Sequence, residues 1–203
     1  MATKASSILL EVKRRLGDVN AVVPEETDAL AYLNSALRGI WNYAIEIDSP
    51  RIETTETKTC DATGFVSLSK NPVKVTKVID IDNNLSLQEF SPRIASGVDS
   101  GYGGMWGYST TLDGIHLYMH PDCTGGNLRI TYYPEFEELD ARTDTLPFAS
   151  SIDNIVIAWT VRLITDGRNM SLTDLINVAD PVSSLIKYFE GHAEEHYVGN
   201  CPW

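Results

Sequence analysis

The chain has 203 residues, of which 43% are hydrophobic and 22% charged. That is room for one large domain or two small ones, with apolar content enough to bury roughly 70% of the unfolded surface. The composition excludes a disordered chain. The net charge of −12 disfavours groove binding to nucleic acid and adhesion to anionic membranes, because like charges repel. Passage of DNA along walls that do not hold it stays compatible with that sign.

The first zone, about residues 4–47, is predicted to be helical. Ile8, Leu9, Val12 and Leu16 fall at helical spacing, and Gly17 with Asp18 supplies a stop. After a loop through Pro24, Glu25 and Glu26 suit the positive end of a helix dipole. Leu30, Leu33, Leu37, Ile40, Trp41, Ala44 and Ile45 then form one apolar face, closed by Asp48-Ser49-Pro50.

From about 50 to 140 the character changes. Turn signals recur at short intervals: Ala62-Thr63-Gly64, Lys70-Asn71-Pro72, Asp82-Asn83-Asn84, Asp113-Gly114 and Gly125-Gly126. Between them lie strand candidates at Thr54–Thr59, 66–68, 73–80, 114–119 and 128–133. Ile115, Leu117 and Met119 alternate with His116 and Tyr118, as Leu128, Ile130 and Tyr132 alternate with Arg129, Thr131 and Tyr133. Period-two patterning with turns this close predicts a small antiparallel sandwich or barrel.

The third zone, about 147–197, returns to helix. Ser150 or Ser151 is a candidate cap for a helix through Ile155, Trp159, Leu163 and Ile164 to Asp166-Gly167. Ser171 with Asp174, and Asp180 with Pro181, mark two further starts, the last helix carrying Leu185, Ile186 and Phe189. The expected class is therefore α+β: a helical bundle from residues 1–48 and 147–198, an inserted β domain at 49–146, and an extended tail at 199–203.

Cys60, Cys123 and Cys201 are distant and odd in number, which predicts reduced thiols instead of a disulfide scaffold or zinc ribbon. No charged n-region precedes an apolar stretch, and the apolar cluster 152–164 is too short and polar to span a bilayer. A chain made in the cytoplasm, with no membrane partner, is expected.

One segment has the form of a catalytic motif. His192-Ala193-Glu194-Glu195-His196 matches H-x-x-E-H, in which two histidines one helical turn apart hold zinc and a carboxylate serves as base. A third ligand is needed, and of the residues after His196 only Cys201 offers one. The opposing reading is a solvated helix end with histidines favoured near its C-terminus. The stretch 101–108 holds glycines but no G-x-G-x-x-G and no P-loop lysine. Its Tyr102, Trp106 and Tyr108 suit a contact loop, or fold back on the sheet. Glu135, Glu137, Glu138 and Asp140 read as a solvated edge, and no nucleophile elbow is present. No catalytic residue, metal or cofactor is expected. The apolar helix at 152–164 is either central in the bundle or faces another subunit.

Three features taken in order resemble the adaptor, or tail-tube A, proteins of podophages and related head-completion proteins. These are the helix pair with Leu30-Ala31-Tyr32-Leu33-Asn34 and Trp41, the β ending Leu128 to Pro134, and Leu139-Asp140 to Asp144-Thr145-Leu146-Pro147-Phe148 before an apolar helix. The resemblance implies a structural virion protein at the head–tail junction. It would form a ring, usually dodecameric, between the portal protein and a tail or nozzle protein, with DNA passing non-specifically through its channel. It also implies helices packing between neighbours, with Trp41, Ile155 and Trp159 as interface residues, and a C-terminal segment docking on the portal through Tyr197, Cys201, Pro202 and Trp203. A competing expectation is a carbohydrate- or protein-binding β module of a tail or decoration protein, and a third is the zinc hydrolase.

Overall fold

The structure, a computed structural model, describes residues 2–17, 26–61, 64–89, 107–118, 126–166 and 188–189. In chain order its elements are β1 (Ala2–Lys4), α1 (Ala5–Arg15), α2 (Glu26–Glu46), β2 (Thr54–Thr59), β3 (Phe65–Ser67), β4 (Pro72–Asp80) and β5 (Leu85–Glu89). There follow β6 (Gly107–Thr110), β7 (Gly114–Tyr118), β8 (Asn127–Pro134), β9 (Thr145–Ala149), a 3-10 turn (Ser150–Ile152) and α3 (Asp153–Asp166). The fold is α+β. It divides into two compact units, Met1–Arg51 with Phe136–Trp203, and Ile52–Glu135. The stretch from 136 to 146 thus goes with the helices.

In the helical unit, Ala5, Ile8, Leu9 and Val12 are buried at the i, i+3, i+4, i+7 spacing that puts them on one face of α1. No side chain caps α1. Its first amides are instead satisfied by a loop: Ala5 N–H donates to the Asp144 carbonyl and Ser6 N–H to the Arg142 carbonyl, both at 2.9 Å. Lys13, Arg14 and Arg15 occupy the last turn, where the helix dipole favours cations. Gly17 follows at φ +76°, as the predicted stop requires.

The helices α2 and α3 pack through Leu33, Ala36, Leu37, Ile40 and Ala44 on one side and Val156, Trp159 and Leu163 on the other, all buried. They approach so closely that a Cβ at Gly39 would lie 2.5 Å from Trp159 Cη2. Ser150 and Ser151 lie within the 3-10 turn, and α3 itself opens at Asp153, which puts a carboxylate in its first turn. A two-stranded sheet, β1 with β9 in antiparallel register, was not expected from the sequence. In β9 Leu146 and Phe148 are buried while Pro147 points outward, which a strand paired on one side tolerates.

The β unit is a seven-stranded, nearly closed barrel-like sheet in the order β2-β8-β4-β5-β6-β7-β3. Every neighbouring pair is antiparallel except β5 and β6, which run parallel with Gln88 opposite Gly107 and Glu89 opposite Tyr108. An antiparallel sandwich or barrel was expected; the parallel pair departs from it and needs a long connection, for which residues 90–106 are the intervening sequence. The interior is filled by Cys60, Val66, Leu68, Val75, Val78, Leu87, Tyr108, Ile115, Leu128, Ile130 and Tyr132. The inward alternation predicted for residues 128–133 holds from Leu128 through Ile130 to Tyr132, all buried, but ends there: Tyr133, expected on the opposite face, is buried as well. The helix starts predicted at Ser171 and Asp180 lie outside the described residues; Tyr188 and Phe189 are helical.

Candidate functional site

The seam of the barrel carries a cluster of interacting polar groups. The connection from β2 to β3 begins as a tight turn, with Asp61 N–H donating to the Phe65 carbonyl (3.0 Å) and Phe65 N–H to Asp61 Oδ1 (2.9 Å). Beyond that turn the two strands part and form the two ends of the sheet. Glu56 bridges them. Its carboxylate accepts the Ser69 backbone N–H (3.2 Å), the Ser69 hydroxyl (2.8 Å) and the Lys58 ammonium (3.1 Å), together with the hydroxyl of Tyr132 from β8. Lys58 Nζ also donates to Ser69 Oγ at 3.1 Å.

Burial pushes the Glu56 carboxyl up, but the hydrogen bonds from Tyr132, Ser69 and Lys58 outweigh it and hold the group below its ordinary 4.5. Burial, then the bond to Glu56 and its negative charge, pushes the Tyr132 phenol well above its ordinary 10.0. A serine beside a lysine resembles an activated nucleophile, which requires a desolvated neutral amine as base. Lys58 is instead ion-paired with Glu56, its side chain 34% exposed, and as an ammonium it has donors and no lone pair. These contacts fasten β2 to β8 and to the segment that follows β3.

A second concentration of side chains lies in the helical unit. Trp41 on α2 is half-buried and meets Phe136 and Phe148, with ring centroids 6.0 and 5.8 Å away. Phe189 is fully buried against Phe148 (6.1 Å), Tyr43 (6.4 Å) and Tyr188 (4.9 Å). The Arg51 guanidinium lies 4.1 Å over the Tyr188 ring, and Ala149 N–H donates to the Tyr188 hydroxyl at 3.2 Å. These tilted and edge-on contacts are the geometry aromatic quadrupoles prefer.

Ile155 and Trp159, expected at a subunit interface, are buried within the unit at 7% and 2% exposure, so their side chains face the chain's own core. Trp159 Nε1 is buried without a hydrogen-bond partner among the described residues. Of the three interface candidates Trp41 alone keeps a partly open ring. Tyr108, expected in a contact loop, lies in β6 at 4% exposure, and burial with the nearby charge of Glu89 pushes its phenol up to about 12. It packs in the barrel core because strand β6 begins inside the stretch that composition marked as a loop. Tyr102, Trp106, His192, Glu195, His196, Tyr197, Cys201, Pro202 and Trp203 lie outside the described residues.

Glu135, Glu137, Glu138 and Asp140 are exposed, as a solvated edge should be, and Glu138 pairs with Arg38. Sequence reasoning missed the Glu56 cluster, whose only signal was a glutamate in the Thr-rich run Thr54–Thr59, on the face opposite Thr55 and Thr57. It also missed Asn34, which is buried in α2 and holds the Leu139 peptide by both ends. Asn34 Nδ2 donates to the Leu139 carbonyl and Leu139 N–H to Asn34 Oδ1, each at 3.0 Å. Among the described residues no three His, Cys, Asp or Glu side chains converge as metal ligands, and no helix is long and apolar enough to cross a membrane. No protein-family model matches the chain, and no curated protein matches it.

Proposed function

We propose that the chain is a structural virion protein, a head-to-tail adaptor that forms a ring between the portal and the tail. The observation that supports this reading most is the organisation of the chain. Both ends of the sequence contribute to one helical unit around α2 and α3, and the barrel is inserted between them. That is the arrangement implied by the resemblance of the 30–41, 128–134 and 139–148 segments to podophage adaptors.

In this reading the ring is dodecameric, its work is repeated contact between subunits, and no catalytic step, metal or cofactor enters. Trp41 takes part in the subunit interface, while Ile155 and Trp159 support it from within. Tyr197, Cys201, Pro202 and Trp203 dock on the portal, and Tyr102 and Trp106 belong to a contact loop. The net charge of −12 suits a channel that DNA crosses without being held. The protein is made in the host cytoplasm and ends in the virion. Gold-labelled antibody against the chain, applied to intact particles, tests the assignment. Label at the head–tail junction is expected; label on the capsid faces or fibres, or none on particles, overturns it.

A further inference from the structure

Tyr188 and Phe189 are held as a pair, and the ring and polar contacts of the pair come from residues 43–51 and 148–149. Phe189, 1% exposed, sits edge-on to Tyr43 of α2 and Phe148 of β9. The Tyr188 hydroxyl accepts the Ala149 N–H while its ring lies under the Arg51 guanidinium. An apolar ring and a phenol are thus recognised separately, which makes this a socket fitted to a Tyr-Phe pair. Residues 167–187 separate the pair from the end of α3, a covalent reach of at most about 70 Å. That reach serves the chain's own socket or a neighbour's.

Copies carrying −12 each repel one another in general, so association needs a contact strong enough to offset that. The large apolar residues exposed among the described ones do not gather into a face. Leu10 is on α1, Val73 on β4, Ile81 and Leu85 flank the β4–β5 turn, and Leu112 is at the β6–β7 turn. The aromatic cluster that the pair completes does reach the surface, because Phe148 meets Phe189 at 6.1 Å and the half-buried Trp41 at 5.8 Å. The socket therefore runs on into Trp41, the side chain proposed for the subunit interface.

We propose that in the assembled protein the Tyr188–Phe189 pair of one copy seats in the socket formed by Tyr43, Arg51, Phe148 and Ala149 of the next copy. This rests on the ring reading above. The exchange needs no unoccupied surface: each copy makes with a neighbour the contacts it otherwise makes with itself. A copy that receives a pair from one neighbour and gives its own to another makes a heterologous contact, the kind that repeats until a ring closes. Because the contacts are the same in both forms, concentration sets the balance between the closed single chain and the exchanged ring.

The test replaces Phe189 of the full chain with p-azidophenylalanine, which keeps an aromatic ring in the socket, and mixes it with a tagged, longer parent chain. Irradiation of dilute protein should give crosslinks within one chain. Irradiation of concentrated protein should join tagged to untagged chains, with the join mapping to Tyr43, Phe148 or their sequence neighbours. While exchange is rare, a tenfold rise in concentration should raise the ratio of interchain to intrachain product about tenfold, as mass action requires. Ser150→Cys carrying a benzophenone label repeats the measurement from the socket side, at an exposed position next to Ala149, with Phe189 left in place. Crosslinks that stay within one chain at every concentration overturn the proposal, as do interchain crosslinks that map away from the socket. Rings on a portal with intrachain crosslinks alone sink the exchange and leave the adaptor reading intact. Interchain crosslinks at the socket with no affinity for a portal do the reverse.

Discussion

The Glu56 carboxylate accepts both the backbone N–H and the hydroxyl of Ser69, at 3.2 and 2.8 Å. It thereby satisfies a backbone donor at the point where β2 and β3 have separated too far for ladder bonds. A barrel with an unpaired seam exposes two strand edges, and each edge is a template for unwanted pairing. One side chain closes part of that seam and ties it to the core through the Tyr132 hydroxyl.

Glu56→Gln keeps the shape but removes the charge that strengthens four donors, and should destabilise the barrel by about 1–3 kcal/mol. The sign of the pH effect follows from the direction of the shift. The folded carboxyl lies below its ordinary 4.5, so its contribution is complete above that value and is lost as pH falls through the folded pKa. Denaturant melts at neutral pH and at progressively lower pH should show the gap between parent and variant closing in acid. A gap that is constant across that range would contradict the role given to the charge.

Gly39→Ala places a methyl 2.5 Å from the Trp159 ring, and neither helix backbone can yield cheaply in a packed core. A loss of about 1–3 kcal/mol is expected, against the gain an alanine ordinarily brings inside a helix. Trp159→Leu in the same chain should relieve the clash, so the double variant falls short of the summed single losses. Thermal denaturation of the four chains measures that coupling.

Asn34→Ala leaves the Leu139 N–H and carbonyl buried without partners, at about 1–3 kcal/mol for each group. Hydrogen exchange at the Leu139 amide should accelerate well beyond that of α2 as a whole. Unchanged exchange at that amide would mean the stretch is held by something other than Asn34.

Tyr108 should ionise late. Its phenol, buried and near Glu89, titrates at about 12 against an ordinary 10.0, so the neutral ring stabilises the fold fully below pH 10 and loses that contribution between about 10 and 12. Tyrosinate absorbance should show a component in that window that Tyr108→Phe removes. Its absence would place Tyr108 in contact with solvent.

The class of fold was legible because its signals are periodic. The stripe Ile8, Leu9, Val12 and the alternation Leu128, Ile130, Tyr132 each imply one buried face. Elements without a repeat escaped: β1 and β6 are three and four residues long, and β9 has a proline at its centre. Tyr108 was misplaced for a similar reason, since glycines on its N-terminal side hide the start of β6. Of the interface candidates, the sequence could not separate a residue buried by its own chain from one buried by a neighbour. Ile155 and Trp159 are apolar on an apolar helix in either case, and it is their burial, with the close approach of Gly39 to Trp159, that assigns them inward. Glu56 and Asn34 were invisible because a buried polar residue depends on partners distant in sequence, Tyr132 and Leu139.

The proposal that this chain seats as a ring on a portal is tested most directly by electron microscopy of the purified full chain mixed with a portal protein encoded beside it. Closed rings of the chain coaxial with the portal, absent when residues 197–203 are removed, are the expected result. Portals left bare at saturating chain, or chain bound as scattered single copies, would contradict the account.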